Sequence, residues 1–218
     1  MVRMKYNYPR SHTVKKQSKK MVKTWIISPG HGINTPGKCA PDKSFYEWKF
    51  NRKLVDRIAY YAEKEDIPLI ILDYEDNDTS LGERVRKANK LGKNCCYMSI
   101  HVNAAGNGSK WMSARGWSIF TSKGFTKADP IAQIFVEEAD KLLPIVGSKV
   151  RRYSWKKYEQ DFEENFYVLR NTIMPAILTE NLFMDNKKDL EILQTEEGLD
   201  LLAQVHINAM KRVMEAGL

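Results

Sequence analysis

Cysteine is scarce in this 218-residue chain: only Cys39, Cys95 and Cys96 occur, with no Cys-x-x-Cys spacing. An odd count without that spacing argues against a disulfide framework or a thiolate zinc site. No apolar run approaches the roughly 18 residues of a transmembrane helix. The N-terminus is basic but lacks the apolar stretch of a secretory signal. From these absences we expect a protein made in the cytoplasm without a signal peptide, acting elsewhere only after release. There is no internal repeat and no composition break that would mark a second domain. Acids are missing from residues 1–23, which hold eight of the 35 basic side chains, leaving 27 against 27 acids in the remainder. The net charge of +8 therefore belongs to an arm and not to the fold. We expect residues 1–23 to be flexible, with an anionic surface polymer or nucleic acid as the partner such an arm would take.

What is present suits one α/β domain over residues 24–218, since hydrophobic residues at 43% are enough for a sizeable core. Trp25–Ile27, Pro68–Leu72, Cys95–Ile100, Gly116–Thr121, Phe166–Leu169 and Met174–Thr179 read as strands. Helical periodicity predicts helices after Glu47, over Ser80–Leu91, Asp129–Leu143 and Thr195–Met214, with Arg52 on the solvent side of the first. Ser44 and Glu47 have the spacing of a capping box. Residues 151–164, charged and aromatic, read as a surface segment, and Cys95 and Cys96 as packing residues. Strands alternating with helices predict a single, mostly parallel twisted sheet with helices on both faces.

The chemistry-bearing residues fall at strand ends. His31 sits in a loop between Gly30 and Gly32, glycines that let the backbone take positive φ. His101 and Glu180 each follow a predicted strand, and Glu47 opens the helix after the first. In open α/β sheets ligands bind beyond the carboxyl ends of the strands, so these four side chains should gather on one rim. Two imidazoles and a carboxylate can hold Zn²⁺ and leave a position for water. The metal lowers that water's pKa from 15.7 toward roughly 7, and a second carboxylate is needed to move its proton. On this argument Glu47 and Glu180 can fill either role. His206 reads as a structural histidine on a helix face, and His12 falls in the arm.

Four segments come in the order seen in one family: Ser28-Pro-Gly-His31-Gly-Ile-Asn-Thr-Pro-Gly37, Glu47, Ser99-Ile-His101-Val-Asn103-Ala, and Ala176-Ile-Leu-Thr-Glu180-Asn-Leu-Phe-Met-Asp-Asn186. Arg84 with Ala88-Asn89, and Val168-Leu169-Arg170 with Met174-Pro175, match as well. The chain resembles the zinc-dependent N-acetylmuramoyl-L-alanine amidases of bacterial autolysins and phage endolysins over roughly residues 24–214. The resemblance implies one Zn²⁺ per chain on His31, Glu47 and His101, Glu180 as the catalytic carboxylate, and peptidoglycan as substrate. The implied reaction cleaves the amide between N-acetylmuramic acid and L-alanine by zinc-activated water, with Glu180 as general base and acid. Asn103 is a candidate substrate contact. Trp111, Trp117, Tyr153 and Trp155 are candidates to stack on sugar or pack on peptide, half of them expected to be core or ordinary surface. Two departures stand out: Leu182 replaces a usual glycine, and Ser28 replaces a usual acid near His31. The expected protein is a monomeric phage or prophage endolysin. The alternatives are a zinc peptidase cutting within the stem peptide and a wall-binding module without chemistry.

Overall fold

The computed structural model describes residues 22–218; residues 1–21, with most of the basic arm and His12, lie outside the described residues. Six strands form one sheet in the order β2-β1-β3-β6-β4-β5. They are β1 (Thr24–Pro29), β2 (Leu69–Ile71), β3 (Cys95–Asn103), β4 (Ser118–Thr121), β5 (Phe162–Glu163) and β6 (Ala176–Phe183). The four strands β2, β1, β3 and β6 run parallel, and β4 is antiparallel to β6.

Alternation along β1 and β3 divides the core. Trp25, Ile27, Cys96, Met98, Ile100 and Val102 face a thick layer, while Ile26, Cys95 and Tyr97 face a thin one. The thick layer is built by α1 (Glu47–Lys64), α3 (Asp129–Leu142) and α6 (Glu196–Ala216). The thin one comes from α2 (Leu81–Asn89) and α4 (Tyr167–Asn171). A further short helix, α5 (Lys187–Leu193), follows β6. Among the described residues no helix is long and apolar enough to cross a membrane.

The helix α6 is bounded by local chemistry. The Thr195 hydroxyl accepts the Gly198 amide at its start, and Gly217, at φ 72°, ends it in the left-handed turn that suits glycine. Val22 is already buried, its amide donating to the Leu218 carbonyl at 2.7 Å.

Three expectations change. Phe166–Leu169 forms helix α4, not a strand, and the strand of that region is β5. A four-residue apolar run carries too little periodicity to separate the two. The capping box is absent: Ser44 Oγ donates to Asp42, and the Glu47 amide donates to the Lys38 carbonyl at 3.0 Å. Finally, β3 and β6 continue past their apolar stretches, so His101 and Glu180 lie within strands and not beyond them.

One buried polar chain ties α6 to the sheet. His206 Nδ1–H donates to the Leu202 carbonyl (2.7 Å), so Nε2 accepts from the Thr179 hydroxyl (3.0 Å). Asn181 Nδ2 donates to Thr179 Oγ1 (3.2 Å) and to the His101 carbonyl (3.0 Å), and Asn181 Oδ1 accepts from the Trp117 indole (3.1 Å). Burial lowers the His206 pKa from 6.5 to about 4. Between those values the unfolded chain binds the proton that the folded one refuses, so acidification lowers stability and the loss is complete near pH 4. The cost is at most about 1.4 kcal/mol per pH unit. We predict that urea denaturation across this window shows a shallower pH slope for His206→Gln than for the native chain, and the difference isolates His206.

Candidate active site

The site grows from a row that crosses three strands on the thin face. The Gly30 amide continues the β1–β3 ladder by donating to the Ile100 carbonyl at 2.8 Å. His101 pairs in register with Glu180 of β6, and the register shifts between His101 and Asn103. His31 follows Gly30 and Glu47 begins α1, so all four expected residues meet at the carboxyl ends of β1, β3 and β6. They line one cavity of about 340 Å³ together with Lys38, Asn103, Gly106 and Asn107.

The glycines around His31 act differently from the expectation. The positive φ, 61°, belongs to His31 itself, and neither Gly30 nor Gly32 takes one. Both supply room instead: a Cβ on Gly30 would lie 2.1 Å from His101 Cε1, and one on Gly32 2.1 Å from the Asp78 amide nitrogen. Arg52 holds the left-handed turn. It is buried, and its guanidinium donates to the His31 carbonyl (3.1 Å), the Trp48 carbonyl (2.9 Å) and the loop at Tyr74 and Glu75. Periodicity assigned Arg52 to solvent, because it cannot register a cation satisfied by backbone carbonyls.

Glu47 Oε1 lies 3.1 Å from His101 Nδ1 and 3.5 Å from His31 Nε2. Three ligands about 2.1 Å from one tetrahedral centre would stand about 3.4 Å apart, so these donors could hold a divalent cation. All three donor atoms lie within 4.8 Å of one another. The far nitrogen of His101, Nε2, sits 3.0 Å from Ser99 Oγ, the partner a ligating histidine needs to fix its tautomer. Glu47 Oε1 also accepts the Val102 amide (3.1 Å). Burial lowers the His31 pKa to about 4, which keeps the ring neutral, as ligation requires.

Glu180 stands apart from these contacts. Its Oε2 is buried with no hydrogen-bond partner, and burial, then the neighbouring Glu47, pushes its pKa well above the usual carboxylate range. Asp185 holds the loop over the cavity by accepting the Ala105 and Gly106 amides (both 2.8 Å). None of the four candidate aromatics lines the cavity. Trp117 is core, Trp111 packs on the core, and Tyr153 and Trp155 stand in solvent.

Both departures have structural answers. Ser28 Oγ donates to Asp73 (2.9 Å) and accepts from Arg84 (2.6 Å), while Lys87 pairs with Asp73 from the other side (3.0 Å). The acid absent at position 28 is thus supplied from the end of β2. Leu182 has φ 70° yet is fully buried. A left-handed L-residue costs roughly 1–2 kcal/mol, less than the 2–5 kcal/mol typical of losing a buried leucine.

A family model described as N-acetylmuramoyl-L-alanine amidase matches residues 26–212. The N-acetylmuramoyl-L-alanine amidase CwlM of Bacillus licheniformis is 29% identical over 203 residues, covering 88% of this chain and 68% of its own. The endolysin of Bacillus phage SPP1 is 25% identical over 195 residues, with 89% and 67% covered. The N-acetylmuramoyl-L-alanine amidase from Clostridium difficile 630 superposes with a TM-score of 0.74 at 26% identity, over 89% of this chain and 98% of that one. The catalytic domain of CwlV, at 21% identity and a TM-score of 0.74, shares the fold over 89% of this chain and 99% of its own.

Two outcomes follow. Gly30→Ala should fold, because the clash is with a side chain free to swing, but the His101 ring leaves its place. Affinity of the His31, Glu47 and His101 donors for a divalent cation, read by chelator competition, falls roughly 10- to 100-fold, with an unchanged circular dichroism spectrum. At position 182 the usual order inverts: Leu182→Gly, freed of strain, is less destabilised in urea than Leu182→Ala, which keeps the strain and loses the packing.

Proposed function

The chain belongs to the N-acetylmuramoyl-L-alanine amidase family, and on that premise we propose that it is a zinc-dependent lysin that cuts stem peptides from the glycan of peptidoglycan. One observation carries the reading: a His-Glu-His donor set and an unpartnered, buried carboxylate share one open cavity. His31, Glu47 and His101 would hold the Zn²⁺. When bound, it supplies a Lewis acid that polarises the scissile carbonyl and acidifies water.

The remaining work falls to the chain. Glu180, raised in pKa by burial, takes a proton as water oxygen adds to the lactyl carbonyl carbon. As the carbon–nitrogen bond breaks, Glu180 delivers that proton to the departing alanine nitrogen; the second proton of the water passes from the new lactyl carboxyl group to the amine, leaving a carboxylate and an ammonium. Ser99 and Asn181 hold His101 from its far nitrogen and its carbonyl. Asn103, which lines the cavity, would donate to a substrate carbonyl. Likeness to the SPP1 endolysin supports a phage or prophage origin.

The test digests purified sacculi and labels newly released amines. New N-terminal alanine is expected from the native chain, and Glu180→Gln should lose about 10²- to 10⁴-fold in kcat while keeping its zinc. A new amine other than alanine would move the cut into the stem peptide. Loss of zinc from Glu180→Gln would exchange the roles of the two glutamates.

A further inference from the structure

The rim opposite the catalytic cavity carries a basic cleft that the amidase reaction does not use. It encloses about 560 Å³ between the end of β4 and the approach to β6, lined by Lys93, Lys123, Lys127 and Arg170 with no acid among its lining residues. All four cations are exposed, and among the described residues none forms an ion pair. One wall is fixed from below: Asn89 donates to the Asn171 carbonyl (3.0 Å) and accepts the Ile173 amide (2.9 Å).

The cleft continues along the rim in strand order. Lys23, just before β1, donates its amide to the Asn94 carbonyl at 2.7 Å, which sets it beside Lys93 before β3. Next come the residues leading into β6, with Arg170, and then Lys123 beyond β4. Glu65 and Asp66, before β2, and Glu163, which accepts the Gly124 amide at 2.9 Å, bound this stretch at its two ends. The chain enters at Lys23 from a segment of 21 residues with seven basic side chains and no acid. A row of unpaired cations in a groove matches a linear chain of evenly spaced negative charges.

We propose that this cleft is a docking site for a phosphodiester-linked anionic polymer of the bacterial cell wall. The choice of a wall polymer rests on the peptidoglycan-hydrolase reading; the cleft's affinity for a polyphosphodiester does not. The arrangement tethers the enzyme by one rim and leaves the other free for the glycan peptide.

The experiment uses the full chain and Lys93→Gln/Lys123→Gln/Lys127→Gln, which keeps every residue of the arm and of the catalytic cavity. Binding of fluorescently labelled, purified polyol-phosphate wall polymer is followed by anisotropy at several salt concentrations. Hydrolysis of a soluble muropeptide fragment is measured in parallel. The native chain should bind in a salt-dependent way. The variant should bind at least about tenfold more weakly, with a salt slope smaller by roughly two, at unchanged fragment hydrolysis. Unaltered polymer affinity in the variant, or none in the native chain, overturns the proposal. So does a DNA duplex binding as tightly as the polymer, since that marks an unspecific polycation. Failure of the fragment assay alone strikes the amidase reading and leaves the polymer measurement standing.

Discussion

The site depends on one cross-strand row, Gly30, His101 and Glu180, set by the register of three parallel strands. Residues paired across parallel strands project from the same face of the sheet. Pairing His101 with Glu180 therefore gives an imidazole and a carboxylate a shared outlook without any loop to position them. The position beside His101 on β1 must then be empty of side chain, because the ring occupies the place of the missing Cβ. A slip of one residue in either strand would turn one of the pair into the opposite face. The register is held from behind by the Asn181 amide on the His101 carbonyl and by the Thr179–His206 link to α6. These bonds lie in a buried setting where leaving a partner unmet costs about 1–3 kcal/mol.

Much of this was legible in the sequence, and the failures share a cause. The sheet, its parallel character and the gathering of four residues on one rim follow from apolar runs ending in polar, chemically capable residues. Local pattern could not see how far the strands extend, because β3 and β6 shelter each other and carry polar residues into a ladder that hydrophobicity alone would have ended. The same blindness hid Arg52, whose burial is balanced by carbonyls from three separate segments. Gly30 was read for its backbone freedom, whereas its value lies in a neighbour 71 positions away in the chain. Tertiary proximity, not propensity, decides each of these.

Position 28 shows how a lost residue is replaced in space. Ser28 brings no charge, but Asp73 reaches its hydroxyl, and Arg84 and Lys87 balance that acid from α2. Removing either side of such a buried group would strand the other, at a typical cost of 3–5 kcal/mol. The polar cluster lies directly beneath the Gly30–His101–Glu180 row, since Ser28 pairs with Ser99 and Ser99 holds His101. The orientation of His101 rests on this cluster, whereas the turn at His31 is held by Arg52, so the two histidines have separate supports.

On the proposed mechanism, the separation of charge between the two rims follows from the chemistry of Glu180. A base that must hold a proton part of the time needs its pKa kept high, and a nearby ammonium works against this. Lys38, the one lysine on the cavity wall, already pulls Glu180 downward. A group of cations strong enough to hold a polyanion would, at the same rim, hold Glu180 ionised and draw the charged polymer across the cavity mouth. Ala176 lines the basic cleft and Glu180 lies four residues further along β6, roughly 13 Å at about 3.3 Å per residue, beyond the Debye length of about 8 Å in physiological salt. None of the cleft's cations is among the charges that shift Glu180, which are Glu47 and Lys38. Attachment and catalysis can then each be strong because they sit at opposite ends of the strands.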